Sequence, residues 1–495
     1  MHYLDALSFI NKEARGNTLA KIGEEMFHFT FMLFNRKNTR TLRWPAIRNL
    51  SLQDDVLNWY IEGSVDIVNS LNYLEHAKLP FEFIGGCNDY LFIELTPKGS
   101  APEGLENVFT FKRLFSIHST EDNLDTDDEN ERYKSLFFRD AVYNYLASTN
   151  IEWSTTDAIK RLYPGLSHKP VSQLGNNSRS LHTGDAIKDF LRVALEGDQK
   201  IGEFDKGSTT VFYNTPVGAR GIDTLNYLLQ RHTSTSTGEP CLLSLDRSID
   251  HPAWTLSPLS NYFADAVIKV ADDNNQPVHV TGLKSPERFT VSTSSNDLTT
   301  VSGDVVNMTP RSGPFELQLP GKDLITSLHL TIPSVDEQLS FMGPSPVHTY
   351  NKSTGQFNIH CYENHSIVYD EFFRQQFIGK MYTDSDTGGS RIFNYNTTTI
   401  DSMYSSDDDT AVQTGRNRAL ISEVLFANNI EFSVPGFLFR RSKSFVTLAP
   451  HPGARTNSVY GNILYGQWFV TNVVHTFSQD TYNNTVLATK PYKFK

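Results

Sequence analysis

The residues with the greatest capacity for chemistry are scattered through this chain rather than gathered into a motif. Fifteen histidines occur among 495 residues, and the one tight grouping with the character of metal ligands is His360-Cys361 followed by His365. Imidazole and thiolate bind zinc when four such groups converge tetrahedrally. Here Phe357, Ile359 and Cys361 alternate with polar residues. A strand with that pattern turns Cys361 inward and His360 outward, away from a common ion. No metal site is expected. The chain holds no G-x-S-x-G elbow, no phosphate-binding G-x-x-x-x-G-K-[ST] loop, no H-E-x-x-H and no G-x-G-x-x-G. Paired carboxylates could hydrolyse glycosides, but their separation in space decides that, and 56 acidic residues single out no pair. The expectation is no catalytic residue, no cofactor and no enzymatic activity.

Cys87, Cys241 and Cys361 lie far apart and outside any C-x-x-C spacing, which argues against a disulfide framework or a structural zinc site. The formal net charge is −12. Affinity for phosphates is built from clustered Lys and Arg, so this balance argues against a protein that grips nucleic acid. The acids concentrate in Glu121, Asp122, Asp125, Asp127, Asp128, Glu129 and Glu131, and again in Asp407, Asp408 and Asp409. Both runs read as exposed, solvated loops.

The elements that must carry these groups are mostly strands. Aromatics make up 12% of the chain and hydrophobic residues 39%, a composition suited to β packing and extensive interfaces. The length calls for two to four domains by the usual size of about 100–200 residues each. No apolar run reaches the roughly 20 residues of a membrane-spanning helix, and the opening residues lack the layout of a secretory signal. No membrane insertion is expected, and synthesis in a cytoplasm is.

A mixed segment to about residue 50 precedes a strand pattern beginning at Leu57, with further strands at Tyr90–Leu95, Val108–Ile117 and Tyr133–Phe138. A helical zone follows: Thr156 as cap of a helix to Leu162, Thr183 as cap of a second carrying Ile187, Phe190, Leu191, Ala194 and Leu195, and a third from Gly221 to Arg231. Short strands are expected at Asp265–Val270, Leu324–Ile332 and Gln356–Tyr362, and a helix at Ala411–Leu425. The C-terminal residues Gly466 to Lys490 read as a hairpin of two long half-buried strands with Gln479, Asp480, Asn483 and Asn484 supplying turn chemistry.

The two ends of the chain echo one another. Gly85-Gly86 leads to an apolar strand ending Leu95-Thr96-Pro97, and Gly436 leads to one ending Leu448-Ala449-Pro450. A long aromatic strand and a shorter return strand follow in both cases. Two copies of one β module would produce this pattern.

The ordered set of Leu57 to Ile67, Thr209 to Pro216, Cys241 to Arg247, Phe432 to Gly436 and Gly466 to Lys490 resembles the central baseplate hub proteins of contractile-tailed bacteriophages, the T4-type tail hubs, and more distantly the base of type VI secretion spikes. The Ser/Thr-rich section from about 270 to 345 and the acidic stretch 121–131 depart from that pattern. The resemblance implies an α+β, mainly β fold with two similar tube-type β-barrel or sandwich domains joined by a mixed helical and β connector. The division would be 1–145, 146–265, 266–345 and 346–495. It also implies a homotrimeric ring that adapts a sixfold tail tube protein to a threefold central spike protein, contacts baseplate wedge proteins and meets DNA only in transit. Such a protein belongs to the virion and is assembled in the host cytoplasm. The acids at 121–129 and 407–409 are the candidates for the lumen. Another baseplate or virion structural protein, or a receptor-binding, carbohydrate-binding tail protein, is the alternative.

Overall fold

The computed structural model describes residues 5–6, 8–10, 18–23, 25–36, 39–68, 89–98, 110–123, 133–164, 180–197, 199–235, 240–245, 253–258, 287–293, 301–302, 306–308, 315–317, 327–331, 345–351, 356–362, 398–401, 428–438, 440–443, 445–449 and 466–490. The fold is mainly β. Its first eight strands are β1 (Thr18–Ile22), β2 (Glu25–Phe34), β3 (Thr39–Leu42), β4 (Ile47–Asp55), β5 (Ile61–Val68), β6 (Tyr90–Pro97), β7 (Phe111–Asn123) and β8 (Tyr133–Asp140). The N-terminal segment expected to be mixed is therefore largely strand, and Leu57 to Tyr60 form the turn between β4 and β5. The reason lies in β2, whose Phe29 to Phe34 are all buried and show no alternation. A strand covered on both faces loses the period-2 signature.

Both faces of β2 are indeed covered. Phe27, Phe29, Phe31 and Leu33 join Leu91, Ile93, Leu95, Phe115, Ile117, Leu136 and Phe138 in one core, around which the sheet curls. Met32, Phe34, Tyr90, Phe92 and Leu114 point the other way into a second core shared with four helices. Each side chain of this size adds about 1.5–3 kcal/mol when fully buried, so the sheet is held from both sides.

The helices are α1 (Ala141–Ser148), α2 (Thr155–Leu162), α3 (Thr183–Ala194) and α4 (Gly221–Arg231). Their buried positions Ile159, Ile187, Phe190, Leu191, Ile222, Leu225 and Leu228 follow the expected stripes. The caps differ from expectation. Ser154, not Thr156, accepts from the Asp157 N–H at 3.1 Å, and His182 precedes α3 while Thr183 is its first residue, with its hydroxyl turned inward. Around the helices run β9 (Leu181–His182), β10 (Lys200–Phe204), β11 (Thr210–Val211), β12 (Cys241–Leu245) and β13 (Ala253–Pro258). Trp254 of β13 lies 5.0 Å from Trp59 between ring centroids and closes the helical core onto the sheet.

The later strands are β14 (Glu287–Thr293), β15 (Val301–Ser302), β16 (Val306–Met308), β17 (Phe315–Leu317), β18 (Ser327–Thr331), β19 (Ser345–Asn351), β20 (Gln356–Tyr362), β21 (Thr398–Asp401), β22 (Asn428–Pro435), β23 (Phe445–Ala449), β24 (Gly466–Ser478) and β25 (Tyr482–Lys490). The closing hairpin is present as β24 and β25, but its connection is Gln479 to Thr481, and Asn483 and Asn484, expected to supply turn chemistry, lie in β25 paired with Thr476 and His475. The stretches Asp265–Val270 and Ala411–Leu425 lie outside the described residues, as do His365 and Asp407 to Asp409.

Two runs of neighbouring strands share one order. In the first, β4 pairs β5, β5 pairs β8, β8 pairs β7 and β7 pairs β6, all antiparallel. In the second, β18 pairs β22, β22 pairs β25, β25 pairs β24 and β24 pairs β23, again all antiparallel. Numbered along the chain, each run is 1-2-5-4-3. Each also carries a one-residue register shift in its 4–5 hairpin, at His118 against β8 and at Thr471 against β25. Aligned on that shift, Leu50-Ser51-Leu52 of β4 falls on Leu328-His329-Leu330 of β18, because Leu52 and Leu330 pair with Gly63 and Ile430, and those pair with Phe138 and Ala488.

Candidate functional site

The two runs meet along a seam. Residues Asn472 to Ser478 of β24 pair antiparallel with Asp55 to Asn49 of β4, so strand 4 of the second run lies beside strand 1 of the first. The Val56 N–H extends this ladder by donating to the Thr471 carbonyl at 2.7 Å. Side chains pin it. The Asp54 carboxylate accepts from the Ser442 N–H at 2.8 Å and from the Ser442 hydroxyl at 3.0 Å, and Asp55 accepts from the Asn472 amide at 3.0 Å. Asp54 is buried, which makes each of these charge-assisted bonds stronger than its neutral counterpart.

Lys443 ties a third region to the seam. Its backbone adopts φ 63°, a left-handed conformation uncommon for a residue with a Cβ. From there the ammonium donates to the Asn58 carbonyl at 3.1 Å, the Leu243 carbonyl at 2.9 Å and the Ser244 hydroxyl at 2.9 Å. Three donors meet three acceptors, two of them on β12. Beside it, Asn484 accepts from the Phe437 N–H at 2.7 Å and the Arg440 guanidinium at 2.8 Å, and its amide nitrogen donates to His475 Nδ1 at 2.8 Å. His475 Nε2 lies 2.9 Å from the Arg440 carbonyl, so it is the protonated nitrogen of a neutral ring. The ring of Tyr482 covers Gly436, where an added Cβ would come within 2.2 Å of Tyr482 Cγ.

A second polar group sits in the helical layer. Asp205, His232 and Cys241 bring one ligand atom each within 4.8 Å of one another. His232 Nδ1 is 2.9 Å from the Thr183 hydroxyl, and Nε2 is 3.4 Å from Asp205 Oδ1. A hydroxyl, an imidazole and a carboxylate in series have the composition of a nucleophile with its base, but Thr183 is fully buried and cannot meet a substrate. Asp205 is already engaged by the Gly207 N–H at 2.7 Å and by the N–H and hydroxyl of Thr235 at 3.0 and 3.1 Å. Burial opposes its ionisation, yet His232 and those two backbone donors outweigh it and hold the carboxyl at about 2. The arrangement latches the loop after β10 to the end of α4. Residues 205, 232 and 241 carry no spacing signature, which is why this group is invisible in the sequence.

Of the acids expected at a lumen, Glu121 and Asp122 belong to β7 rather than to a loop, paired with Ser135 and Lys134. Glu121 is exposed. Asp125, Asp127, Asp128 and Glu129, like Asp407, Asp408 and Asp409, lie outside the described residues. His360 and Cys361 lie on β20 opposite Val347 and Pro346. No helix among the described residues is long and apolar enough to cross a membrane.

No protein-family model and no curated protein matches the chain. Solved structures resemble it at low identity. The 43 kDa tail protein of prophage MuSo2 from Shewanella oneidensis is 9% identical over 93% of this chain and 98% of its own, with a TM-score of 0.42. The tail protein from Neisseria meningitidis MC58 is 10% identical over 93% and 96%, also at 0.42. The E. coli c3393 protein, a component of the type VI secretion system, is 7% identical over 94% and 78%, at 0.35. TM-scores below 0.5 leave these as likenesses only.

Proposed function

We propose that the chain is a structural hub of a contractile phage tail, in which three copies close a ring that offers six similar β modules to a sixfold tail tube protein and threefold symmetry to a central spike protein. The observation that carries this reading is the shared 1-2-5-4-3 strand order of the two runs together with the β4–β24 seam that sets them side by side. A chain that presents one module twice lets a threefold assembly imitate sixfold geometry. Two unrelated β domains would give no such match.

On this reading baseplate wedge proteins bind the outside of the ring, and DNA passes through its hole without being held. A net charge of −12 suits that passage, because an acidic surface repels phosphates rather than holding them. The chemistry is mechanical, with no catalytic role for the Asp205–His232 group, and the protein resides in the virion after assembly in the host cytoplasm. Light scattering on the purified protein tests it together with negative-stain imaging. A trimer mass and rings with a central hole are expected, and a stable monomer of 55.9 kDa overturns the reading.

A further inference from the structure

The group formed by Asp205, His232 and Cys241 has the donor set of a metal centre. Topology brings it together. β13 pairs parallel with β10 on one side and antiparallel with β12 on the other. Asp205, directly after β10, donates its N–H to the Leu256 carbonyl at 2.8 Å, and Cys241, which opens β12, pairs with Pro258. Both therefore stand at the C-terminal end of β13. His232, directly after α4, completes the set, with one ligand atom of each residue within 4.8 Å of the others. A relay of hydroxyls decides which nitrogen of His232 carries the proton. Thr209 spends its hydroxyl proton on the Arg231 carbonyl at 2.6 Å. Its oxygen then accepts from the Thr183 hydroxyl 3.2 Å away, and the Thr183 oxygen accepts in turn from His232 Nδ1–H at 2.9 Å. Nε2 keeps its lone pair. That nitrogen has no hydrogen-bond partner among the described residues, in a side chain only 3% exposed, and it faces Asp205 Oδ1 at 3.4 Å.

Two buried acceptors facing one another need a cation between them. The distance says which. A charge-assisted N–H···O bond closes to about 2.7–2.9 Å, whereas a nitrogen and an oxygen on one tetrahedral zinc, each about 2.0–2.2 Å from the metal, stand about 3.4 Å apart. We propose that Asp205, His232 and Cys241 bind a zinc ion, with water as the fourth ligand, and that the ion ties the loop after β10, the end of α4 and the start of β12 into one unit. An imidazole, a carboxylate and a thiolate form a borderline-soft set that suits zinc rather than magnesium or calcium. The thiolate belongs about 3.6 Å from the other two donors, so Cys241 closes onto the ion with a movement on the order of 1 Å. The outer partners are already in place: Thr183 orients the imidazole, and the Gly207 N–H and the N–H and hydroxyl of Thr235 orient the carboxylate. In acid a proton competes with the metal for Nε2, and His232 then faces Asp205 as a cation. The ion is structural, and its binding is the same for one copy or for three, so it stands apart from the hub reading.

The purified full-length protein, stripped with a chelator, is titrated at neutral pH with zinc chloride or cobalt chloride alone. Cobalt should bind with the visible absorption of a tetrahedral site and a thiolate-to-cobalt charge-transfer band, and zinc should displace it. Zinc should also slow alkylation of Cys241, mapped by peptide mass, at least about tenfold, because a ligated thiolate is withdrawn from reaction. Cys241→Ser should abolish the charge-transfer band, and Thr183→Val, which removes the acceptor that orients the imidazole, should weaken zinc binding by about 10–100-fold. The double variant Cys87→Ser/Cys361→Ser should bind as the wild type does. A wild-type chain that shows no charge-transfer band, or whose Cys241 reacts equally fast with and without zinc, overturns the proposal, and both of those readings are made without any substitution. A band that survives Cys241→Ser overturns it as well, since the thiolate would then lie elsewhere.

Discussion

Asp54 and Ser442 are separated by 388 residues in the chain, yet the buried Asp54 carboxylate accepts both the N–H and the hydroxyl of Ser442. Both oxygens of a carboxylate on the first run of strands thereby meet a single residue of the connection between β22 and β23 of the second run. Asp54→Asn keeps the shape but turns one oxygen into a donor that faces another donor. A buried group left unsatisfied costs about 1–3 kcal/mol, so that loss is expected in chemical denaturation, with Ser442→Ala costing less because its N–H bond survives. Equal, negligible effects of both substitutions would show that the seam does not depend on the clamp.

How much of this could be read from the residues depends on their environment. The hairpin from Gly466 to Lys490 and the helix from Gly221 to Arg231 were legible because each has one apolar face and clear turn or end chemistry. The strand Glu25–Phe34 was not, because both its faces are buried and the alternation vanishes. The repeat was visible as a pattern, but its register was off: the bulges set His118 against Thr471, whereas the Leu-x-Pro match shifts the edge strands by two residues. Bulges insert a residue without leaving a composition signal. The seam and the Asp205–His232 latch join residues from distant parts of the chain, and no local rule finds such pairs.

Gly436, directly after β22, leaves the space that the ring of Tyr482 at the start of β25 fills. The Tyr482 ring occupies the position that a Cβ would take, at 2.2–2.4 Å from three ring atoms. Gly436→Ala must displace a ring that also stacks on Phe477 with centroids 4.0 Å apart. Overpacking of this kind costs about 1–3 kcal/mol. Adding Tyr482→Leu to Gly436→Ala should recover part of that loss, measured as non-additivity in thermal or denaturant unfolding. Additive losses would place the strain elsewhere.

Asp205 gives an acid dependence whose sign can be worked out. Its folded-state value is about 2, while an unfolded aspartate titrates near 3.9. A depressed carboxylate adds stability that is complete above the unfolded value and disappears as pH falls through the folded one. Wild-type protein should therefore lose more stability between about pH 4 and 2 than Asp205→Asn, which should be less stable at neutral pH and flatter in acid. Urea midpoints measured at half-unit steps of pH decide this, and parallel curves for the two proteins would remove Asp205 from the account.

Arg113 and Asp140 form a pair that tests whether charge holds the sheet to the helices. Arg113 Nε lies 3.6 Å from Asp140 Oδ2 with both side chains about 95% buried, and Arg113 Nη2 donates to the Leu245 carbonyl at 2.8 Å. Burial pushes the Asp140 carboxyl upward against the pull of Arg113 and of the backbone donors at Ile61 and Val142. Removing one partner strands the other charge in the core, at a cost of about 3–5 kcal/mol. Asp140→Leu and Arg113→Met should each lose stability on that scale. The double substitution should lose less than their sum, because two apolar side chains leave no orphaned charge between α1 and β12. The deciding quantity is the coupling from a double-mutant cycle, with about 0.5–3 kcal/mol expected for groups in contact. A coupling near zero would mean that Arg113 acts through the Leu245 carbonyl alone, as a strap from β7 to β12 rather than as half of an ion pair.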